Sequence, residues 1–361
     1  MNFLKRALAV SLAAVLCLSA AGCSGADKSW AVKDSSNNSV PIGCYVYSLY
    51  SAYSMADSKK PDASKDVLSQ KIENKDAKTW IRDKALTSTK LLLFLDQKMK
   101  SMKLTLTDAD KKMAQQMNSS AWAQASSVME KYGVAQSSFE TVYGTAFMKE
   151  KKIFDATYGK SGTKAVPDTE LKDYYLKNYS DFSFILCSLY NTDASGNATS
   201  AMTDAQKKKA ESVLNDYATQ IKAGKLTMRK AADSYKALMK SSSDELHTAS
   251  ANLATETNYP EAMRTTLKGM KTGEVKTLEI GSQGIYLLLS KGDSAKAIET
   301  TLKTEDAREN LLLNYKSNEF LPALEKDASA AKGISVNDAA LNSYDPKMFV
   351  ASASSAAAPA K

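Results

Sequence analysis

The chain has 361 residues, 43% hydrophobic and 24% charged, with 15 Gly, 7 Pro, 4 Cys, one His and a formal charge of +8. At about 150 residues per domain this allows two domains, and the balance excludes a collagen, a polytopic membrane protein and a wholly disordered chain. So few Gly and Pro argue against a turn-rich all-β fold, four Cys are too few for a disulfide scaffold, and any His-based metal site, Ser-His-Asp triad or Cys-His pair hangs on His247.

Residues 1–22 read as a secretory leader. Lys5 and Arg6 form a positive start, and Ala7 to Ala21 is an apolar run too short to span a bilayer comfortably. The run closes on Leu18-Ser19-Ala20-Ala21-Gly22-Cys23, which resembles a bacterial lipobox. That resemblance implies that Cys23 becomes the first mature residue and carries a lipid. The other reading of the same residues is an ordinary signal peptide, or a retained anchor, with Cys23 a free thiol. Removing the leader takes away Lys5 and Arg6 and no acid. The remaining basic residues are spread along helical stretches among acids, a solvated face rather than a nucleic-acid surface. As an anchor, acyl chains at about 0.8 kcal/mol per buried CH₂ outweigh this charge.

Residues 23–40 are small and polar and read as a tether, with a short strand near Trp30 to Val32. Val46, Leu49, Tyr50 and Tyr53 share one helical face, which predicts a helix over 43–57. Tyr45, Tyr47, Tyr50 and Tyr53 read as mostly core, with some lining a cleft. Ile81, Ala85, Leu92, Leu95 and Met99 mark a second helix. Thr107 with Asp108 and Asp110 starts a third, which carries Met113, Met117 and Val128 and stops at Gly133. A fourth, capped by Ser137 or Ser138, bears Phe139, Tyr143, Phe147, Phe154 and Tyr158. Pro167-Asp168 opens a short fifth. Most of the 14 Met fall on helical faces, as core or as an adaptable binding groove.

At residue 182 the pattern changes. Phe182 to Tyr190 is strand-like and 191–197 is a polar loop. Thr203 with Gln206 is a capping box for a helix that Gly224 ends. Residues 226–239 form another helix, 241–258 an irregular polar loop holding His247, and 260–270 a short helix. Gly273 to Ile280 and Gly284 to Ser290 make a hairpin. A long helix over 303–331 turns Leu313, Phe320 and Leu324 inward. Ile334 to Val336 is extended, and 346–361 is a low-complexity tail read as disordered. The fold class is therefore α+β. Neither outer helical block can bury its apolar face alone, so 41–179 and 299–345 pack into one discontinuous helical domain, with 180–298 inserted as a small α/β domain.

This layout resembles the PrsA/SurA-type extracytoplasmic foldases. Lys131 to Phe139, followed by Val166 to Phe182, is similar to the last helices of that family's SurA-like chaperone domain. Gly273-Glu274-Val275, then Gly284 to Leu289, is similar to the closing hairpin of a parvulin (PpiC-type rotamase) domain. Parvulins isomerise the bond before proline, whose uncatalysed barrier is about 18–20 kcal/mol. The resemblance puts Phe184 and Tyr286 where the family's two His stand, and Tyr259 and Met263 at its pocket Met and Phe. The implied cleft of Phe184, Tyr259, Met263 and Tyr286 thus keeps apolar lining and loses the histidine network. The implied protein is a lipid-anchored chaperone on the extracytoplasmic face of the cell membrane. It binds unfolded exported polypeptides on apolar surface between the helical lobe and the inserted domain, and needs no cofactor, metal or nucleic acid. The alternative is an active peptidyl-prolyl isomerase with an altered site. A solute-binding lipoprotein would need two similar α/β lobes, which the pattern lacks. His247 reads as a surface residue, and Cys44 and Cys187 as buried thiols or, in an exported protein, a disulfide. Radioactive palmitate is expected to label the chain made in a lipid-modifying bacterium, and Cys23→Ala to abolish the label; label that survives the substitution removes the anchor.

Overall fold

The computed structural model describes residues 28–192 and 198–350; the leader, Cys23 and residues 351–361 of the tail lie outside the described residues. The protein is α+β. The chain forms two compact units, one made of the described residues up to Ala165 and from Lys316 onward, the other of Val166–Tyr315.

The first unit opens with β1 (Trp30–Lys33) and β2 (Ser39–Pro41), then α1 (Ile42–Lys59), β3 (Lys71–Ile72), β4 (Lys75–Asp76), α2 (Ala77–Ser101), α3 (Asp108–Lys131), α4 (Gln136–Glu140) and α5 (Ala146–Tyr158). The chain returns to it at Lys316, inside a helix Glu305–Ala330, and continues in a strand Ser335–Val336 and a short helix Asp338–Leu341. α1 stops at Lys59 because Lys60 precedes Pro61 and takes extended ψ 135°. α3 starts on the capping box of Thr107 and Asp110 and ends before Gly133, at φ +75°.

Residues 28–40 are not a free tether. β1 pairs antiparallel with both β2 and Ser335–Val336. Ala31 and Val32 are fully buried, and the Asn337 N–H donates to the Ala31 carbonyl at 2.9 Å. The physical reason is that this short apolar run covers part of the core built by Tyr45, Leu49, Ile81 and Ala85. Nor do 346–350 belong to a disordered tail. Pro346–Phe349 is a 3₁₀ turn, and the Phe349 ring lies 4.8 to 5.6 Å from those of Tyr50, Tyr53 and Tyr132. Ser137 and Ser138 do not cap α4, whose N-cap is Ala135; Ser138 is buried within the helix and its carbonyl accepts from the Cys44 thiol. Between α4 and α5, Thr141–Thr145 widens into a π turn. Asn118 on α3 accepts from the Gly144 N–H at 2.8 Å. A Cβ on Gly144 would lie 2.5 Å from that side chain and 2.6 Å from the Ala114 carbonyl, so glycine permits the close approach.

The second unit contains α6 (Asp168–Asn178), β5 (Ser180–Ser188), β6 (Tyr190–Thr192), β7 (Ala198–Ala201), α7 (Asp204–Lys222), α8 (Met228–Met239), β8 (His247–Ala251), α9 (Glu261–Gly269), β9 (Val275–Ile280), β10 (Ile285–Lys291) and α10 (Ser294–Thr301). The helix Glu305–Ala330 is α11, and Ser335–Val336 and Asp338–Leu341 are β11 and α12. β8, β5, β10 and β9 lie in that order in one antiparallel sheet. On one face Ile185, Cys187, Tyr286 and Leu288 pack with Leu214, Ala218, Ala231 and Tyr235 of α7 and α8. On the other, Phe182, Leu287 and Leu289 pack with Met263 and Leu267 of α9.

Two segments read as loops are partly strand. β8 lies inside 241–258, and β6 and β7 flank the turn read as 191–197. Neither alternates strongly in hydropathy, and each is held by backbone pairing to a partner instead. In α11 the buried apolar residues are Leu311, Leu312, Phe320, Leu324 and Ala328, with Leu313 half-buried. The α11 residues from Lys316 onward pack on α2 and α5. Phe320 meets Phe154 edge-to-face at 5.2 Å, Tyr158 donates to Glu319 at 3.1 Å, and Lys84 pairs with Glu325 at 2.6 Å. Phe349→Ala removes a ring shared by three tyrosines and is expected to cost about 3–5 kcal/mol, read as a lower urea midpoint by near-ultraviolet circular dichroism; an unchanged midpoint would show that 346–350 does not hold the core.

Candidate functional site

Of the four residues assigned to a cleft in the inserted domain, three come together. Phe184 on β5 stands half-buried between His247, stacked on it at 4.8 Å, and Tyr259, whose ring lies 6.3 Å away. Tyr259 also meets Phe182 edge-to-face at 5.2 Å. Met263 is buried in the same cluster. Burial pushes the Tyr259 phenol above its ordinary pKa.

Tyr286 does not join them. It pairs with Cys187, whereas Phe184 pairs with Leu289, an odd number of residues away along the strand. A strand side chain changes face at every residue, so Tyr286 lies on the opposite side of the sheet. There its hydroxyl donates to Asn215 Oδ1 at 3.0 Å, which also accepts from Thr277 at 2.9 Å. His247 is exposed, as read, but it sits on a strand against Phe184 rather than in a loop.

A concavity lies within the first unit. α1, α2 and the second half of α11 enclose a groove of about 790 Å³. Tyr47, Tyr50, Met55, Trp80, Leu321 and Pro322 supply its apolar and aromatic lining. Six of the charged residues around it are paired with one another, and Lys326 is the seventh. Lys59 pairs with Glu73, which also accepts from the Trp80 indole at 3.0 Å; Lys75 pairs with Asp83 at 3.0 Å, and Lys84 with Glu325. The Lys59 hydrogen bond, then that of Trp80, holds the Glu73 carboxyl below its ordinary pKa. Burial pushes the Tyr47 phenol up to about 12, so it enters the groove uncharged. Pro322, inside α11, has no N–H for the helical ladder and exposes its ring to the groove. Such a surface suits apolar and aromatic side chains on a segment of little net charge.

The tyrosine stripe of α1 was the available sequence signal for this groove; nothing local marked Trp80, Leu321 or Pro322. Of the methionines, Met55 lines it, Met99, Met129 and Met148 are buried, and Met113 is exposed. Cys44 and Cys187 are both free and buried rather than paired, and desolvation pushes the Cys44 thiol up to about 11 and raises that of Cys187. Among the described residues no group of three His, Cys, Asp or Glu side chains could hold a metal ion, and no helix is long and apolar enough to cross a membrane.

No family model and no curated protein matches this chain. Among solved structures it is similar to the foldase protein PrsA of Lactococcus lactis, at 15% identity and a TM-score of 0.39, over 87% of this chain and 97% of that one. It is also similar to foldase protein PrsA of Streptococcus pneumoniae, at 13% identity and a TM-score of 0.40, over 72% and 88% of the two chains. PrsA of Bacillus subtilis is a further similar structure, at 14% identity and a TM-score of 0.30, over 75% and 92%.

Proposed function

We propose that this chain is a foldase-type chaperone for exported polypeptides, held at the outer face of the cytoplasmic membrane by lipid on Cys23. The observation that carries the reading is the groove of about 790 Å³ in the helical unit. Its aromatic and methionine lining takes varied apolar side chains without one fixed geometry. Most of its charges are already paired with one another, so it repels neither acidic nor basic segments strongly. Contacts of this kind are individually weak, as a chaperone that must release its client requires. The anchor rests on the leader and its lipobox-like end.

The inserted domain serves in this reading as a parvulin-like scaffold without the family's histidine network. Isomerisation requires an apolar pocket for proline and groups that favour a twisted amide. Phe184 has no polar atom, and the Tyr286 hydroxyl is engaged by Asn215 on the far face. One observation favours the second reading, an active isomerase with an altered site: His247 lies against Phe184, beside Tyr259.

In an aggregation assay with a reduced, unfolded model protein, the chain is expected to suppress light scattering. Ser51→Trp, which fills the groove from an exposed position on α1, should raise the amount of chain needed by about tenfold, the equivalent of ~1.4 kcal/mol. Equal protection by this variant would remove the groove from the mechanism. A proline-limited refolding assay is expected to show no acceleration. Acceleration that disappears in both His247→Ala and Tyr259→Ala would instead establish the isomerase reading.

A further inference from the structure

The four-stranded sheet of the second unit has two edges, and they differ in chemistry. β9 carries Lys276 and Glu279, and Lys276 pairs with Glu274 at 3.0 Å. Charged side chains of this kind are how sheets discourage a further strand. β8, His247-Thr248-Ala249-Ser250-Ala251, has no Lys, Arg, Asp or Glu, and no proline, glycine or bulge. His247, Thr248 and Ser250 are exposed. On one side β8 pairs with β5 in unbroken register, from Phe184 with His247 to Ser180 with Ala251. Among the described residues, no backbone N–H or carbonyl of 247–251 is bonded outside that ladder. The outward-pointing half of its backbone groups therefore has no hydrogen-bond partner among the described residues, at the spacing of a strand.

The side chains beside this edge are ordered by the same alternation. His247, Ala249 and Ala251 share the face of Phe182, Phe184 and Tyr259, while Thr248 and Ser250 point to the other, where Ser250 bonds the Tyr175 hydroxyl at 2.6 Å. A strand laid along β8 would therefore place every second side chain next to the His247–Phe184 stack.

We infer that β8 is a strand-addition site, at which a segment of about five residues of an unfolded, extended polypeptide joins the sheet through backbone hydrogen bonds, with its alternate side chains against the His247–Phe184 platform. The inference rests on the chaperone reading and names the state of client that the second unit recognises, a β-extended backbone. The occupant follows from the edge itself. Unpaired donors and acceptors alternating at about 3.3 Å per residue are matched by a second extended main chain. Backbone pairing is indifferent to sequence, which suits a protein with many clients; the platform adds a preference for apolar or aromatic residues at every second position.

The test uses a fluorescent, end-capped nine-residue peptide of alternating Val and Thr, and the same peptide N-methylated at every second residue, which removes the donors of one edge. The expected result is binding of the first by anisotropy, slowed amide hydrogen exchange at 247–251 in its presence, and binding at least about tenfold weaker for the methylated form. Equal binding of the two peptides, binding without slowed exchange at 247–251, or no binding of either overturns the site. If the chain still suppresses aggregation in a groove-dependent way under any of those results, strand addition alone has failed; if suppression is absent too, the chaperone reading has failed with it.

Discussion

The first unit depends on one long-range contact: the pairing of residues 30–33 with residues 335–336. β1 lies between β2 and β11, and Asn337 ties the two segments further by donating its N–H to Ala31 and its side-chain amide to the Trp30 carbonyl at 3.1 Å. Phe349 then closes the layer above α1 among three tyrosines. Only such a return lets α1 and α2 bury the stripe of Tyr45, Leu49, Trp80 and Ile81. Closing so long a loop is not prohibitive, because its entropy grows only with the logarithm of loop length. The whole stretch Val166–Tyr315 can therefore occupy that loop.

The groove follows from the same return. One of its walls is the second half of α11, set against α2 and α5 by Lys84–Glu325 and the Phe154–Phe320 contact. Its ion pairs contribute little individually where they are exposed to solvent. Their effect is to leave the surface nearly neutral around an aromatic floor. Pro322 removes one N–H from the α11 ladder at the groove and presents its apolar ring there.

In the second unit the controlling constraint is the strand period of two. It separates Phe184 from Tyr286 and delivers them to different helices, so that a pairing inferred from motif similarity becomes two unrelated environments. It also brings Phe184 into one cluster with His247 and Tyr259, which follow it far along the sequence. The hydroxyl of Tyr286 finds Asn215, a residue with no signal of its own beyond its place on an amphipathic helix.

What the sequence by itself determined is what short-range chemistry controls. Thr107 with Asp110 and Thr203 with Gln206 start their helices, Gly133 and Gly224 stop theirs at positive φ, and Gly284, at φ +60°, turns the β9–β10 hairpin. Each of these acts within one turn of the chain, through a cap hydrogen bond or an accessible backbone angle. Only tertiary structure decided the strand at 247–251, the sheet that joins 30–33 to 335–336, the face on which Tyr286 falls and the groove itself. Each of these depends on which distant segment supplies the partner, and a weakly patterned run such as His247 to Ala251 becomes a strand only when another strand is already there to bond it.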